Sequence, residues 1–78
     1  MQIVYIYDVK ARSKKHYNRI KRRFYYHMNK LPIRKENWKT KSSFAIPRKH
    51  EDVVDMFFKS FKGSVEVYKL TAQTIEEL

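Results

Sequence analysis

Residues Gln2–Asp8 alternate Ile3, Tyr5 and Tyr7 with Val4 and Ile6, so both faces of the segment are apolar or amphipathic. That pattern predicts a central strand covered on at least one side. A loop over Val9–Arg12 leads to Ser13, whose hydroxyl can accept from the first free N–H groups of a helix. From Ser13 to about Lys30 the apolar period becomes helical, with Tyr17, Ile20, Phe24, Met28 and Leu31 on one face. Lys15, Arg19, Arg22, Arg23, Tyr26 and Lys30 take the opposite face. Pro32 lacks the N–H that a continuing helix needs, and stops it.

The middle of the chain is less sharply patterned. Ile33–Asn37 fits a short strand and turn, and Trp38–Ile46 reads as a strand ending at Pro47, with no glycine to mark a hairpin. His50–Phe61 predicts a second helix, with Val54, Phe57, Phe58 and Phe61 as its apolar stripe. Glu51, Asp52 and Asp55 lie near its positive end. Gly63, the single glycine, falls where a helix C-cap needs positive φ. Ser64–Leu70 predicts a last strand, and Thr71–Leu78 a polar, acidic tail.

The resulting order is βαββαβ. It predicts an α+β, ferredoxin-like fold in which an antiparallel sheet carries two helices on one face. Residues 1–70 would form a single domain and residues 71–78 a C-terminal tail. A 78-residue chain buries only ~60% of its unfolded surface, so a homodimer is expected. Hydrophobic content of 42% with 15% aromatics suffices for a packed core.

Charge changes the picture most. Residues 1–50 hold 15 bases and 2 acids, whereas residues 51–78 hold 3 bases and 6 acids. Positive charge alone would keep a small protein in solution, but it would not segregate so sharply. The front of the chain is therefore expected to build a polyanion-binding face. Lys14, Lys15, Arg19, Arg22, Arg23 and Lys30, with Tyr26 among them, combine phosphate-pairing cations with a ring that packs on sugar or base. Nothing resembles base readout, so binding should be weakly sequence-specific and strongly salt-dependent. A basic helix could also lie on an anionic membrane, but its apolar face is required for the core.

The absence of cysteine removes disulfides and thiolate metal sites and suits a cytoplasmic setting. No signal-peptide pattern is expected at the N-terminus, and no apolar run approaches a membrane span. His16, His27 and His50 share no ligand spacing, the serines have no triad partners, and no glycine-rich phosphate loop is present.

Asp8 is the only acid in the first 35 residues, at the end of the first strand. Phosphodiester hydrolysis commonly uses Mg²⁺ held by carboxylates and waters. The only other acid in the front of the chain is Glu36, so a metal site there would need a second Asp8 across a two-fold axis. In an enzyme of that kind Arg12 or Arg19 would neutralise developing charge on the phosphate.

Three elements together resemble the second CRISPR-associated protein family, here Cas-two. They are the IVYIYD strand with its terminal acid, the basic first helix, and Ser42-Ser43-Phe44 followed by a helix and the VEVYKL strand. The resemblance spans roughly residues 1–70. It maps the family's signature aspartate onto Asp8, and its middle-strand serine and phenylalanine onto Ser42 and Phe44. Thr40 stands where the family motif begins with glutamine. The loop after Asp8 reads VKARSKK, without the further acids the family often carries there.

The resemblance implies a prokaryotic, ferredoxin-like homodimer that binds DNA or RNA. It would act beside the Cas-one integrase in spacer acquisition, in antiviral defence. It also implies metal-dependent endonuclease activity on RNA or double-stranded DNA, with Mg²⁺ or another divalent ion shared between two Asp8 copies. The tail could complete the partner subunit's sheet. Two alternatives share the same basic surface: a toxin endoribonuclease of the VapD kind, and a non-catalytic nucleic-acid-binding protein.

Overall fold

A computed structural model describes residues 1–78. The chain forms β1 (Gln2–Val9), α1 (Lys14–Met28), β2 (Trp38–Thr40), β3 (Ser43–Pro47), α2 (Glu51–Lys59) and β4 (Val65–Ala72). Single 3₁₀ turns at Lys35–Asn37 and Arg48–His50 precede β2 and α2. The four strands make one antiparallel sheet in the order β2-β3-β1-β4. This α+β arrangement is compatible with a small ferredoxin-like fold, with β1 in the centre as its apolar pattern requires.

Alternation along β1 sends Ile3, Tyr5 and Tyr7 into the core. There they meet Ile20, Phe24 and Met28 of α1, Phe44 and Ile46 of β3, and Val54, Phe57 and Phe58 of α2. The core is largely aromatic. Tyr5 stacks on Phe44 and on Phe58, each at 5.4 Å between ring centres, and Phe24 lies 5.0 Å from Phe57. Two buried tyrosines bring hydroxyls that must be satisfied. Tyr5 donates to Asp55 Oδ1 at 2.7 Å, and Tyr7 donates to the Lys41 carbonyl at 3.2 Å.

Several boundaries differ from the sequence expectation. Ser13 does cap α1, its hydroxyl accepting from the His16 N–H at 3.2 Å. The helix ends at Met28, and the N–H groups of Lys30 and Leu31 then bond three residues back, tightening the chain before Pro32. The stretch Ile33–Asn37 holds no strand: Lys35–Asn37 is a 3₁₀ turn, and Ile33 and Arg34 lead into it. The expected single strand Trp38–Ile46 is instead a hairpin turning at Lys41-Ser42, where no glycine is needed because no residue there adopts positive φ. Helix α2 stops at Lys59, where the Ser60 hydroxyl binds the Phe57 carbonyl at 2.6 Å and competes with the helical ladder. Gly63 has the expected positive φ, 93°, but it is not the helix cap: Ser60 caps α2 in the right-handed region, and Gly63 lies in the turn three residues later.

Both helices pack on one face of the sheet. On the opposite face Val4 pairs with Leu70, Ile6 with Tyr68 and Asp8 with Glu66. Ile6, Tyr68 and Leu70 are exposed there. Strand β4 runs through Thr71 and Ala72, and residues 73–78 form no helix or strand. No helix is long and apolar enough to cross a membrane.

Candidate nucleic-acid interface

Helix α1 contains six lysines and arginines and no acid. Lys14 and Lys15 open the helix, next to the positive end of its dipole, where an acid would be favoured. Each such cation costs roughly a few tenths of a kcal/mol. The repeated i, i+4 like-charge spacing Lys15–Arg19–Arg23 adds repulsion. Helix α2 follows the opposite rule, with Glu51 and Asp52 in its first turn and Lys59 in its last.

No base of α1 is relieved by an ion pair. The salt bridges of the chain use only Lys10, Arg34, Arg48 and Lys69 as cations. Lys15, Asn18, Arg19 and Arg22 line one shallow recess on the outer face. Arg23 projects differently, lying 5.8 Å over the Phe61 ring on the α2 side. Tyr26 is exposed, and the Lys30 ammonium sits 4.2 Å from its ring centre and 3.1 Å from its hydroxyl. Lys14 is exposed at the helix start.

The middle-strand pair separates. Ser42 is exposed in the β2–β3 turn, where its N–H donates to Thr40 Oγ1 at 3.1 Å. Phe44 is fully buried. Its ring stacks on Tyr5 and lies 5.0 Å from Trp38, so it belongs to the core and cannot meet a nucleic acid as the resemblance implies.

Asp8 lies exposed on the open face of the sheet, away from both helices. Its Oδ2 is 3.0 Å from Lys10 Nζ. The register sets Glu66 of β4 directly across from it, which places the two Cβ atoms ~5 Å apart. Tyr68, two residues further along β4, donates to Glu66 Oε1 at 2.8 Å. The hydrogen bond to Asp8, then the charges of Asp8 and Glu66, raise the Lys10 pKa, and the hydrogen bond to Glu66 raises that of Tyr68.

Glu66 is the acid that the linear sequence conceals. The VEVYKL segment advertises a strand, but only its antiparallel register against β1 brings its glutamate to Asp8. Arg12 lines a separate recess with Lys10, His16 and Gly63, and Arg19 lies in the α1 recess. The two arginines expected to act with Asp8 therefore occupy different recesses. Asp8 and Glu66 fit a hard ion that takes one or two carboxylates and completes its shell with water and phosphate. The chain gathers no group of three or more metal-ligating side chains.

Compared with known proteins, the chain matches no family model, no curated protein and no solved structure.

Proposed function

We propose that this chain binds nucleic acid through the phosphate backbone and works as a homodimer. The observation that carries the reading is α1: six bases, no acid and no internal ion pair, with Lys14 and Lys15 set against the positive end of the helix dipole. A bound polyanion removes the repulsion that this arrangement builds into the free protein. Because the binding groups meet phosphates, affinity falls steeply with salt.

The dimer covers the open sheet face. Across β1 and β4 the middle of that face carries Val4, Ile6, Tyr68 and Leu70, and Lys10, just beyond β1, is paired with Asp8. In a chain of net charge +10, it is a surface on which two copies can meet over apolar side chains, with the nearby Lys10 already paired to Asp8. A second copy there also brings a second Asp8–Glu66 pair to the assembly. A divalent ion such as Mg²⁺ held by these carboxylates would polarise a phosphoryl oxygen toward hydrolysis. Within this reading, the resemblance of the β1 strand and basic helix supports a role in CRISPR spacer acquisition beside an integrase.

The test is the salt dependence of duplex binding. Neutralising Lys15, Arg19 and Arg22 should reduce the slope of log affinity against log salt by roughly 0.9 for each phosphate left without its cation. An unchanged slope would exclude the α1 face. For the catalytic part, Asp8→Ala should abolish Mg²⁺-dependent cleavage and leave binding intact; unchanged cleavage removes Asp8 from the chemistry.

A further inference from the structure

The stripe of α1 that carries Lys15, Asn18, Arg19 and Arg22 does not end at Arg22. Continuing at helical spacing, it reaches Tyr25 and Asn29, and these two residues line one side of a second, wide and shallow recess. Trp38, Lys39 and Lys41 of the β2 hairpin contribute to the rest of its lining. From Lys15 to Asn29 the stripe runs about 21 Å at the helical rise. Its first part is cationic; its end is aromatic and amide-bearing.

That end is built to be held in place. Tyr7, buried beneath it, gives its one hydroxyl proton to the Lys41 carbonyl at 3.2 Å. It therefore accepts from the Tyr25 hydroxyl, 3.0 Å away. One core hydroxyl thus fixes both a wall of the recess and the hairpin turn opposite. The Tyr7 N–H adds a bond to the Ser42 carbonyl at 3.0 Å. Tyr25 and Trp38 are half-buried, leaving ring surface open, and the cations of Lys39 and Lys41 have no acidic partner.

We infer that this recess receives an unpaired base, so that the preferred ligand is a nucleic acid with a single-stranded segment adjoining the portion held on α1. The inference rests on the proposed nucleic-acid reading and narrows it. Bases inside a duplex have their faces stacked on each other and cannot offer one to a ring on the protein surface. An unpaired base can stack on Trp38 or Tyr25, meet the neutral amide of Asn29 with its edge, and leave its flanking phosphates to Lys39 and Lys41. Stacking tolerates any base, which agrees with a surface that has no readout of sequence.

The experiment compares fluorescence anisotropy for a blunt duplex and for the same duplex with a 5′ or a 3′ overhang, at one salt concentration. The wild-type chain should bind one overhang about tenfold more tightly than the blunt duplex. Trp38→Leu, which retains apolar packing on Phe44, should bring that overhang to the blunt level and leave blunt binding within about twofold. Asn29→Ala, at an exposed position that leaves the core and the net charge intact, should act in the same sense. Equal binding of blunt and overhanging duplexes by the wild-type chain would overturn the recess alone, as would equal weakening on both ligands in the two variants. Failure of the wild-type chain to bind any of these duplexes at low salt would instead overturn the α1 reading itself.

Discussion

Glu66 faces Asp8 across the β1–β4 ladder, with Lys10 bonded to one and Tyr68 to the other. Two carboxylates directly opposite each other in an antiparallel pair repel, and the Lys10 ammonium offsets that repulsion. The site is therefore neither an isolated acid nor a finished metal centre. It is an acid pair with its own counter-cation on the outer face of the sheet.

Removing one charge of this pair should separate structure from chemistry. Glu66→Gln is expected to hold or slightly raise the thermal midpoint, and Asp8→Ala to shift it by no more than about 3 °C, because both sites are exposed. Millimolar Mg²⁺ should raise the midpoint of the wild-type chain by mass action and have no effect on an Asp8→Asn, Glu66→Gln double variant. An equal rise in both, read by calorimetry, would take the ion away from this pair.

Phe44 provides a second separation. Fully buried against Tyr5, Trp38 and Phe58, it should cost about 3–5 kcal/mol when truncated to alanine. That is a large part of the stability of a small domain. Phe44→Leu should cost less, about 1–2 kcal/mol, and leave duplex affinity unchanged. A drop in affinity in a folded Phe44→Leu protein would return this ring to the interface.

The residues involved explain what the linear sequence could reveal. Strand β1, helix α1 and its cap at Ser13 were legible because each rests on a local period or a local hydrogen bond. The hairpin was not, because Lys41-Ser42 turns without glycine or proline, and its position is held by Tyr7, 34 residues distant from Lys41. The basic face was legible as composition on a helix. Glu66 was not, since its neighbourhood with Asp8 depends on the register between two strands at opposite ends of the chain.

The pH dependence of stability should carry the signature of Asp55. Burial alone would raise its pKa, but the hydrogen bonds from Tyr5 and Lys69 outweigh burial and hold the carboxyl below the usual range. A depressed carboxylate stabilises the fold fully above its unfolded pKa of about 4. That contribution is lost as the pH falls through the lower, folded value. Thermal midpoints should thus decline below about pH 4, and Asp55→Asn should show a lower midpoint at pH 7 with a flatter acid limb. An acid limb identical to wild type would assign the effect to other carboxylates.

Gly63 adopts φ of 93° with nothing within 4 Å of where a Cβ would stand. Substitution therefore meets backbone strain and no clash. Gly63→Ala should cost about 1–2 kcal/mol, and Gly63→Asn less, because asparagine enters the left-handed region more readily. Urea denaturation would distinguish them; equal costs for the two substitutions would point to packing and not to conformation.

The open sheet face predicts the assembly state. Leu70 is exposed beside half-buried Val4, and Tyr68 is exposed beside Ile6, on the face away from both helices. A charge placed among them must be desolvated when two copies meet, and in a dimer it would face its own symmetry mate. Leu70→Lys should therefore give a monomer by sedimentation velocity at concentrations where the wild-type chain is dimeric, with its thermal midpoint losing the concentration dependence of an associating protein. A dimer that persists in Leu70→Lys, or a wild-type chain that stays monomeric at high concentration, would place the subunit interface elsewhere or remove it. It would also leave each Asp8–Glu66 pair to act within a single chain.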